Sequence, residues 1–476
     1  MNRQILSLLL AAIVSAVLLF TNPMGLDANA AKVCAIGCFM IICWVAEAMP
    51  MPAVALFPLI LFPLLGIAKI EDVAASYANP VIFLFLGGFL IGLAIEKWYL
   101  HKRIALNIVR LTGTAGNRIV LGFVMATGLL SMWLSNTATT MMMYPIAMSV
   151  IQVIEKSTGE KATRNLSVCL LLAIAYASNF GGIATIIGTP PNVAYVSFLE
   201  KNNGYTFEFI DWMKMCIPLS IVLLVVLYLV MTKFLLPVKS TADEAVKEVI
   251  GSEIKLMGKL TKAEQRVLFV FVLTATLWIT RDIINNLQQA IKLDDTLIAV
   301  FGGVMLFIIP SGAEDKKPLL IWSDTSKMAW GILLLFGGGI ALADQLGKAG
   351  LIQALAAWIA GFVQPGFFLV LMITVVSIFV SEVMSNVAQV IVFAPVVAGM
   401  AGALNADPLQ LGMAMTLGAS CAGMLPMGTP PNAIVFASGR LKLKHMMITG
   451  FIMNLVSAVL ITLFCWYMLP VFVRAI

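Results

Sequence analysis

Residues 119–154 are 36 consecutive residues without a charged side chain, and no other feature constrains the fold as much. At about 1.5 Å of rise per residue, roughly 20 residues of helix cross the ~30 Å hydrocarbon layer of a bilayer. This run is too long for one span; cut at Ser135 it gives two arms. Other apolar stretches lie near 5–20, 33–68, 80–95, 166–198 and 215–237, and again from about 267 to 472. They are continuous rather than alternating, which excludes a β-barrel and leaves helices to satisfy the backbone in lipid. Hydrophobic residues make up 61% of the 476 and charged residues 11%, too little charge for a soluble chain covering a single core. The expected class is an all-α, multi-pass membrane protein.

The net charge of +6 does not point to nucleic acid. The basic residues cluster between apolar runs, as His101-Lys102-Arg103, Lys161 with Arg164, and Arg440 with Lys442 and Lys444. That is the positive-inside pattern, and no nucleic-acid partner is expected. Cys34, Cys38, Cys43, Cys169, Cys216, Cys421 and Cys465 form no CxxC pair, and only His101 and His445 could join them. Neither a disulfide framework nor a transition-metal cluster is expected. Arg3, the run 5–20 and Ala28-Asn29-Ala30 resemble a signal peptide. The run is long for a signal core and ends well before the cleavage-like site, so residues 1–31 read as an additional N-terminal transmembrane helix. Residues 237–265 carry Lys239, Lys247, Lys255, Lys259 and Lys262 against Asp243, Glu244, Glu248, Glu253 and Glu264. They read as a solvated, partly helical cytoplasmic connector between halves 32–236 and 266–476.

The halves repeat. Leu84-Phe85-Leu86-Gly87-Gly88 matches Leu334-Leu335-Phe336-Gly337-Gly338, and Ser135-Asn136 matches Ser385-Asn386, both at an offset of 250. Gly188-Thr189-Pro190-Pro191-Asn192 recurs identically as Gly428-Thr429-Pro430-Pro431-Asn432, at an offset of 240.

The first Ser-Asn pair sits in a polar stretch, Ser131 through Thr140, where apolar helix would otherwise continue. Ser and Asn compete for backbone groups and favour caps and turns. Two spans and a re-entrant hairpin with the motif at its tip both fit. In either, a helix starting after Asn136 aims free N–H groups and its positive dipole end at the bound group, which suits a carboxylate. Asn and Ser oxygens with freed carbonyls suit a desolvated alkali cation. The second copy is Ser381-Glu382-Val383-Met384-Ser385-Asn386-Val387. In the Pro-Pro segments, proline removes a donor and restricts the residue before it, so helix breaks there. Loose carbonyls at membrane depth are tolerable only around a cavity. Paired breaks in two halves mark a transporter's central site.

Each element alone has a plainer reading: Ser-Asn as interhelical glue, Pro-Pro as a kink, Gly-Gly as close packing. Two copies in register move the Ser-Asn and Thr-Pro-Pro elements to function, while Gly87-Gly88 and Gly337-Gly338 stay packing positions. Glu47 and Glu382 lie in apolar surroundings, where acids are costly and often functional. Glu382 reads first as a structural partner of a basic group or helix end, ahead of proton coupling. Trp44…Glu47 and Trp278…Arg281 read as matching positions at helix ends.

On these residues the chain resembles the divalent-anion:sodium symporter family, especially its bacterial sodium-coupled dicarboxylate transporters. The likeness rests on Trp44 through Pro50, Asn79-Pro80 through Arg103, Ser135-Asn136-Thr137 and the first Gly-Thr-Pro-Pro-Asn. In the second half it rests on Trp278 through Arg281, Trp330 through Ala343, Ser385-Asn386-Val387 and the second Gly-Thr-Pro-Pro-Asn. It covers the chain from about residue 32 onward. The resemblance implies about eleven transmembrane helices and two re-entrant hairpins, as inverted repeats in a homodimer, with a scaffold and an elevator-type transport domain. It implies a bacterial inner-membrane location and at least two Na+ sites. The first would use Ser131, Ser135, Asn136 and the carbonyl of Gly188; the second, Ser381, the Met384 carbonyl, Asn386 and the Gly428 carbonyl. A dianionic carboxylate would touch Ser135, Asn136, Thr137, Thr189 and Pro190 on one side and Ser385, Asn386, Thr429 and Pro430 on the other. Val387 stands where the family pattern has Thr. A missing hydroxyl contact is worth about 1 kcal/mol, so the substrate's two ends are read differently and a longer or differently shaped dianion gains weight.

The function expected is sodium-coupled uptake of a di- or tricarboxylate of the succinate, malate or fumarate kind. The alternatives are a sodium-independent exchanger or a sulfate-type divalent anion transporter on the same fold. An enzyme is not expected, because the apolar runs hold no serine–histidine pair, metal-ligand cluster or usefully spaced acid pair.

Overall fold

The computed structural model describes all residues except 1–2, 24, 114–115, 204–206, 238–242, 289–290, 313–316 and 476. Among the described residues, ten helices are long and apolar enough to cross a bilayer. They include the N-terminal helix Arg3–Thr21, which packs on Ala28–Val45.

Helix boundaries follow local chemistry. Asn79 caps Pro80–Lys97 through the Val81 N–H. Thr261 and Glu264 form a capping box at the start of Lys262–Leu287. Asp407 caps Pro408–Ala419.

From Pro80 the first half runs Pro80–Lys97, Leu100–Thr112, the arms Gly116–Ser131 and Asn136–Thr158, the broken pair Glu160–Gly182 and Pro190–Asn203, and Phe209–Leu229. From Trp330 the second half runs Trp330–Lys348, Leu351–Ala360, the arms Phe367–Ser381 and Asn386–Ala403, the broken pair Pro408–Ala419 and Pro430–Phe436, and Leu443–Leu463. Both last helices continue into a π-helical segment, Val230–Leu235 and Phe464–Met468.

The halves interlock. Pro430–Phe436 packs against Asn136–Thr158 and Glu160–Gly182 of the first half. Pro190–Asn203 packs against Asn386–Ala403 and Pro408–Ala419 of the second. Tyr195 reaches across to donate to the Pro408 carbonyl at 3.0 Å. Gly412 is required opposite it, since a Cβ there would lie 2.0 Å from the Tyr195 hydroxyl oxygen.

The Gly-Gly positions are close-packing positions. A Cβ on Gly87 would fall 2.3 Å from the Ala299 carbonyl, and one on Gly338 2.3 Å from that of Ala55. Trp44 and Trp278 are buried, and their indole N–H groups tie to the next element, at Met51 O and Asp295 O. Trp278 lies inside its helix rather than at the end.

The connector carries a helix that is largely exposed and docks by one face. Helix Asp243–Leu256 docks on Leu100–Thr112 and on the arm Asn136–Thr158. Val246 and Ile250, one turn apart, are buried there, and this apolar stripe is what the count of charges concealed. Ion pairs flank it: Lys102–Glu253 at 2.8 Å and Arg103–Glu264 at 2.7 Å. Residues 238–242 of the connector, with Lys239, lie outside the described residues. Outward faces carry exposed Ile221, Val225, Phe269, Val272, Phe301 and Val304, a surface suited to lipid.

Candidate functional site

The two Ser-Asn pairs fall at the bends between arms. Ser135 caps Asn136–Thr158, accepting the Ala138 N–H at 3.3 Å, and Ser385 holds the same position before Asn386–Ala403. The Pro-Pro helices begin at Pro190 and Pro430, directly after Thr189 and Thr429. All four helix starts face one cavity of about 1270 Å³. Ser135, Asn136, Thr137, Thr189 and Pro190 line it on one side, with Ser385, Asn386, Val387, Thr429 and Pro430 on the other. Met384 and Gly428 line it as well, while Ser131, Gly188 and Ser381 lie behind the wall. Among the described residues the N–H groups of Asn136, Thr137, Asn386 and Val387 are uncommitted; the Pro-Pro helices open without an N–H at their first two positions, and the next one, at Asn192 or Asn432, is already bonded to Thr189 O or Thr429 Oγ1, so they offer only their dipole ends to an anion.

Behind each Asn lies an oxygen-rich nest. Ser131 Oγ donates to Asn136 Oδ1 at 2.8 Å. Gly182 is needed beside it, because a Cβ there would sit 2.3 Å from Asn136 Oδ1. A Cβ on Gly188 would sit 2.5 Å from Gly182 O and 3.0 Å from Ser131 O. In the second half, Ser381 Oγ lies 2.9 Å from Asn386 Oδ1 and 2.7 Å from Ala419 O. Its one proton serves only one of them, leaving oxygens that face each other without a hydrogen between them. Amide, hydroxyl and carbonyl oxygens of this kind are hard ligands that fit an alkali cation. Among the described residues no group of three His, Cys, Asp or Glu side chains could hold a metal ion.

Glu382 is a structural partner of backbone. It is 3% exposed. Its Oε1 accepts from Gly423 N and Met424 N, both at 2.8 Å, and from Asn454 Nδ2 at 2.7 Å; its Oε2 accepts from Leu425 N at 2.9 Å. The carboxylate thereby fixes the break between Pro408–Ala419 and Pro430–Phe436. In the first half a neutral bond does this work, Thr185 Oγ1 to Met132 O at 2.5 Å. Asn192 and Asn432 brace the same two breaks, Asn192 through Gly182, Ile183 and Thr185 carbonyls and Asn432 through those of Ala422 and Leu425. Glu47 is different: it is exposed, has a left-handed backbone at φ 48°, and lines the cavity with Glu96 and Lys327.

Sequence reasoning missed Asn179, which lines the cavity and bonds to Asn136 and Thr429. The available signal was a third Ser-Asn dipeptide, Ser178-Asn179, inside an apolar span.

The family model for the sodium:sulfate symporter transmembrane region matches residues 2–473. The chain belongs to that family. Within it, the chain is 38% identical over 461 residues to the sodium-dependent dicarboxylate transporter SdcS of Staphylococcus saprophyticus, covering 95% of this chain and 89% of that protein. To SdcS of Staphylococcus aureus strain USA300 it is 37% identical over 464 residues, with the same coverage. Among solved structures, the YdaH transporter of Alcanivorax borkumensis has the same fold, with a TM-score of 0.60 at 14% identity, covering 84% of this chain and 87% of that one.

Proposed function

We propose that this protein is a secondary active transporter that couples sodium to uptake of a dicarboxylate of the succinate class. One observation carries the reading: two oxygen nests lie directly behind two amide-and-hydroxyl faces of a single cavity. Asn136 and Asn386 each belong to both layers, with Oδ1 in the nest and the residue on the cavity wall. A cation in the nest fixes the amide, and the fixed amide then meets the anion. Each ligand thus favours the same arrangement, which is coupling. The Ser-Asn and Thr-Pro-Pro segments contain no cationic side chain, so bound cations balance the substrate's charge. The names of the SdcS relatives agree with this chemistry.

The first cation site would comprise Ser131, Ser135, Asn136 and the Gly188 carbonyl; the second, Ser381, the Met384 carbonyl, Asn386 and the Gly428 carbonyl. The dianion would lie between the two faces, with Val387 offering only apolar contact where Thr137 offers a hydroxyl. Residues 32–236 and 266–476 would be inverted repeats, contributing to a scaffold and a moving transport domain within a homodimer of the bacterial inner membrane. The protein would perform no covalent chemistry. By the positive-inside rule, the face bearing His101-Lys102-Arg103 and the connector is cytoplasmic. The cavity carries Glu96, at the connector end of Pro80–Lys97, so this arrangement would be open inward.

The test is uptake of labelled succinate by proteoliposomes under an inward sodium gradient. Uptake should collapse when potassium replaces sodium, and excess sulfate should compete poorly. Equal uptake in both salts would refute the coupling.

A further inference from the structure

Asn179 has no counterpart in the second half. The offset of 240 that pairs the Pro-Pro-Asn segments sets it against Ala419, which has no polar side-chain atom. Asn179 is 1% exposed, and a buried amide needs partners. Its Oδ1 accepts from Asn136 Nδ2 at 3.3 Å, and its Nδ2 donates to Thr429 Oγ1 at 3.4 Å. The other Asn136 amide hydrogen goes to Thr189 Oγ1 at 3.4 Å. Thr429 Oγ1 also accepts the Asn432 N–H at 3.4 Å. Both lone pairs of Thr429 are thereby engaged, and its own O–H is left for an acceptor in the cavity. Among the described residues no hydrogen bond joins Asn386 to Thr429, so the side chain that orients the hydroxyl of the second face, beside the Asn432 N–H of its own helix, comes from the first half.

We propose that Asn179 is a positioning residue that joins the two faces, holding the Thr429 hydroxyl as a donor to one carboxylate of the substrate. The chain Ser131–Asn136–Asn179–Thr429 leads from the first cation nest to an anion contact in the opposite half. The inference rests on the dicarboxylate reading above and adds the residue through which the first half acts on the second.

The test is succinate uptake in proteoliposomes at saturating sodium, with Asn179→Leu, which matches in volume and removes both polar atoms. Asn179→Asp serves beside it, since it keeps the acceptor for Asn136 and takes away the donor to Thr429. Half-saturation by succinate should rise about tenfold in Asn179→Leu, the scale of one lost hydrogen bond to a charged group, with maximal uptake changed less than twofold, and at least as much in Asn179→Asp, whose carboxylate also repels the dianion and competes for the Thr429 O–H. Thr429→Val should show a similar rise, and adding Asn179→Leu to it should raise half-saturation less than twofold further, since both changes remove one contact. A purely structural role would instead give additive losses. Wild-type half-saturation in the folded Asn179 variants, or full additivity in the double variant, would overturn the proposal. A wild-type protein that takes up no succinate with sodium would overturn the transport reading itself, so the two failures are distinct.

Discussion

Gly182→Ala isolates the first cation nest. The added methyl would lie 2.3 Å from Asn136 Oδ1, and ordinary contact begins near 3.4 Å, so the oxygen must retreat by 3.4 − 2.3, about 1.1 Å. It cannot swing away cheaply, because Ser131, Asn179 and Thr189 all hold the Asn136 side chain. A metal site tolerates displacements of about 0.2 Å in a ligand, so the nest loses one oxygen. We expect sodium to bind at least tenfold more weakly, about 1.4 kcal/mol. Ligand stabilisation follows RT ln(1 + [L]/Kd). For the first nest alone, a sodium concentration of roughly 100 times Kd gives ~2.7 kcal/mol in the wild type and would give only ~1.4 kcal/mol in the variant, while the share of the second nest is common to both. The assay is thermal unfolding of purified protein with sodium against potassium at equal ionic strength, so that any sodium-free destabilisation cancels in the difference. Gly402→Ala is the control: its methyl meets nothing within 4 Å, and it should respond to sodium as the wild type does. A folded Gly182→Ala protein with an undiminished sodium response would show that the cation does not use Asn136.

Two further outcomes follow from charged groups. Glu382→Gln keeps shape but sets an amide donor against N–H donors of the 423–425 break. At about 1.5–3 kcal/mol per bond to a charged group, the loss should be roughly 2–4 kcal/mol, read as a lowered sodium-free melting temperature with the fold retained; an unchanged melting temperature would deny the carboxylate its bracing role. Burial, then a hydrogen bond with Asp282, pushes Glu208 up to about 7 against the pull of Arg281. A carboxyl raised on folding contributes stability that is full at pH 4 and is lost as pH rises through about 7. Wild-type stability should therefore fall relative to Glu208→Gln between pH 5 and 8, and parallel pH profiles for the two proteins would refute this.

The chain alone determined a helical membrane protein with motifs that recur in two places, because hydrocarbon leaves the backbone no alternative and because proline and Ser-Asn interruptions are local signals. Ser135, Asn136, Thr189 and their second-half partners were legible for that reason: each carries its break in its own identity. The connector's docking was less legible, since Val246 and Ile250 are two apolar residues among many charges and show their use only against the helices they meet. Glu382 was visible as a costly acid, but its partners, the N–H groups of 423–425 and Asn454, lie some 40 to 70 residues away. Asn179 was hidden in plain composition. One amide in an apolar span reads as interhelical glue until packing sets Thr429, 250 residues further on, against it. Local conformational preference is written along the chain, whereas the pairing of hydrogen-bond partners across halves exists only once the helices interlock.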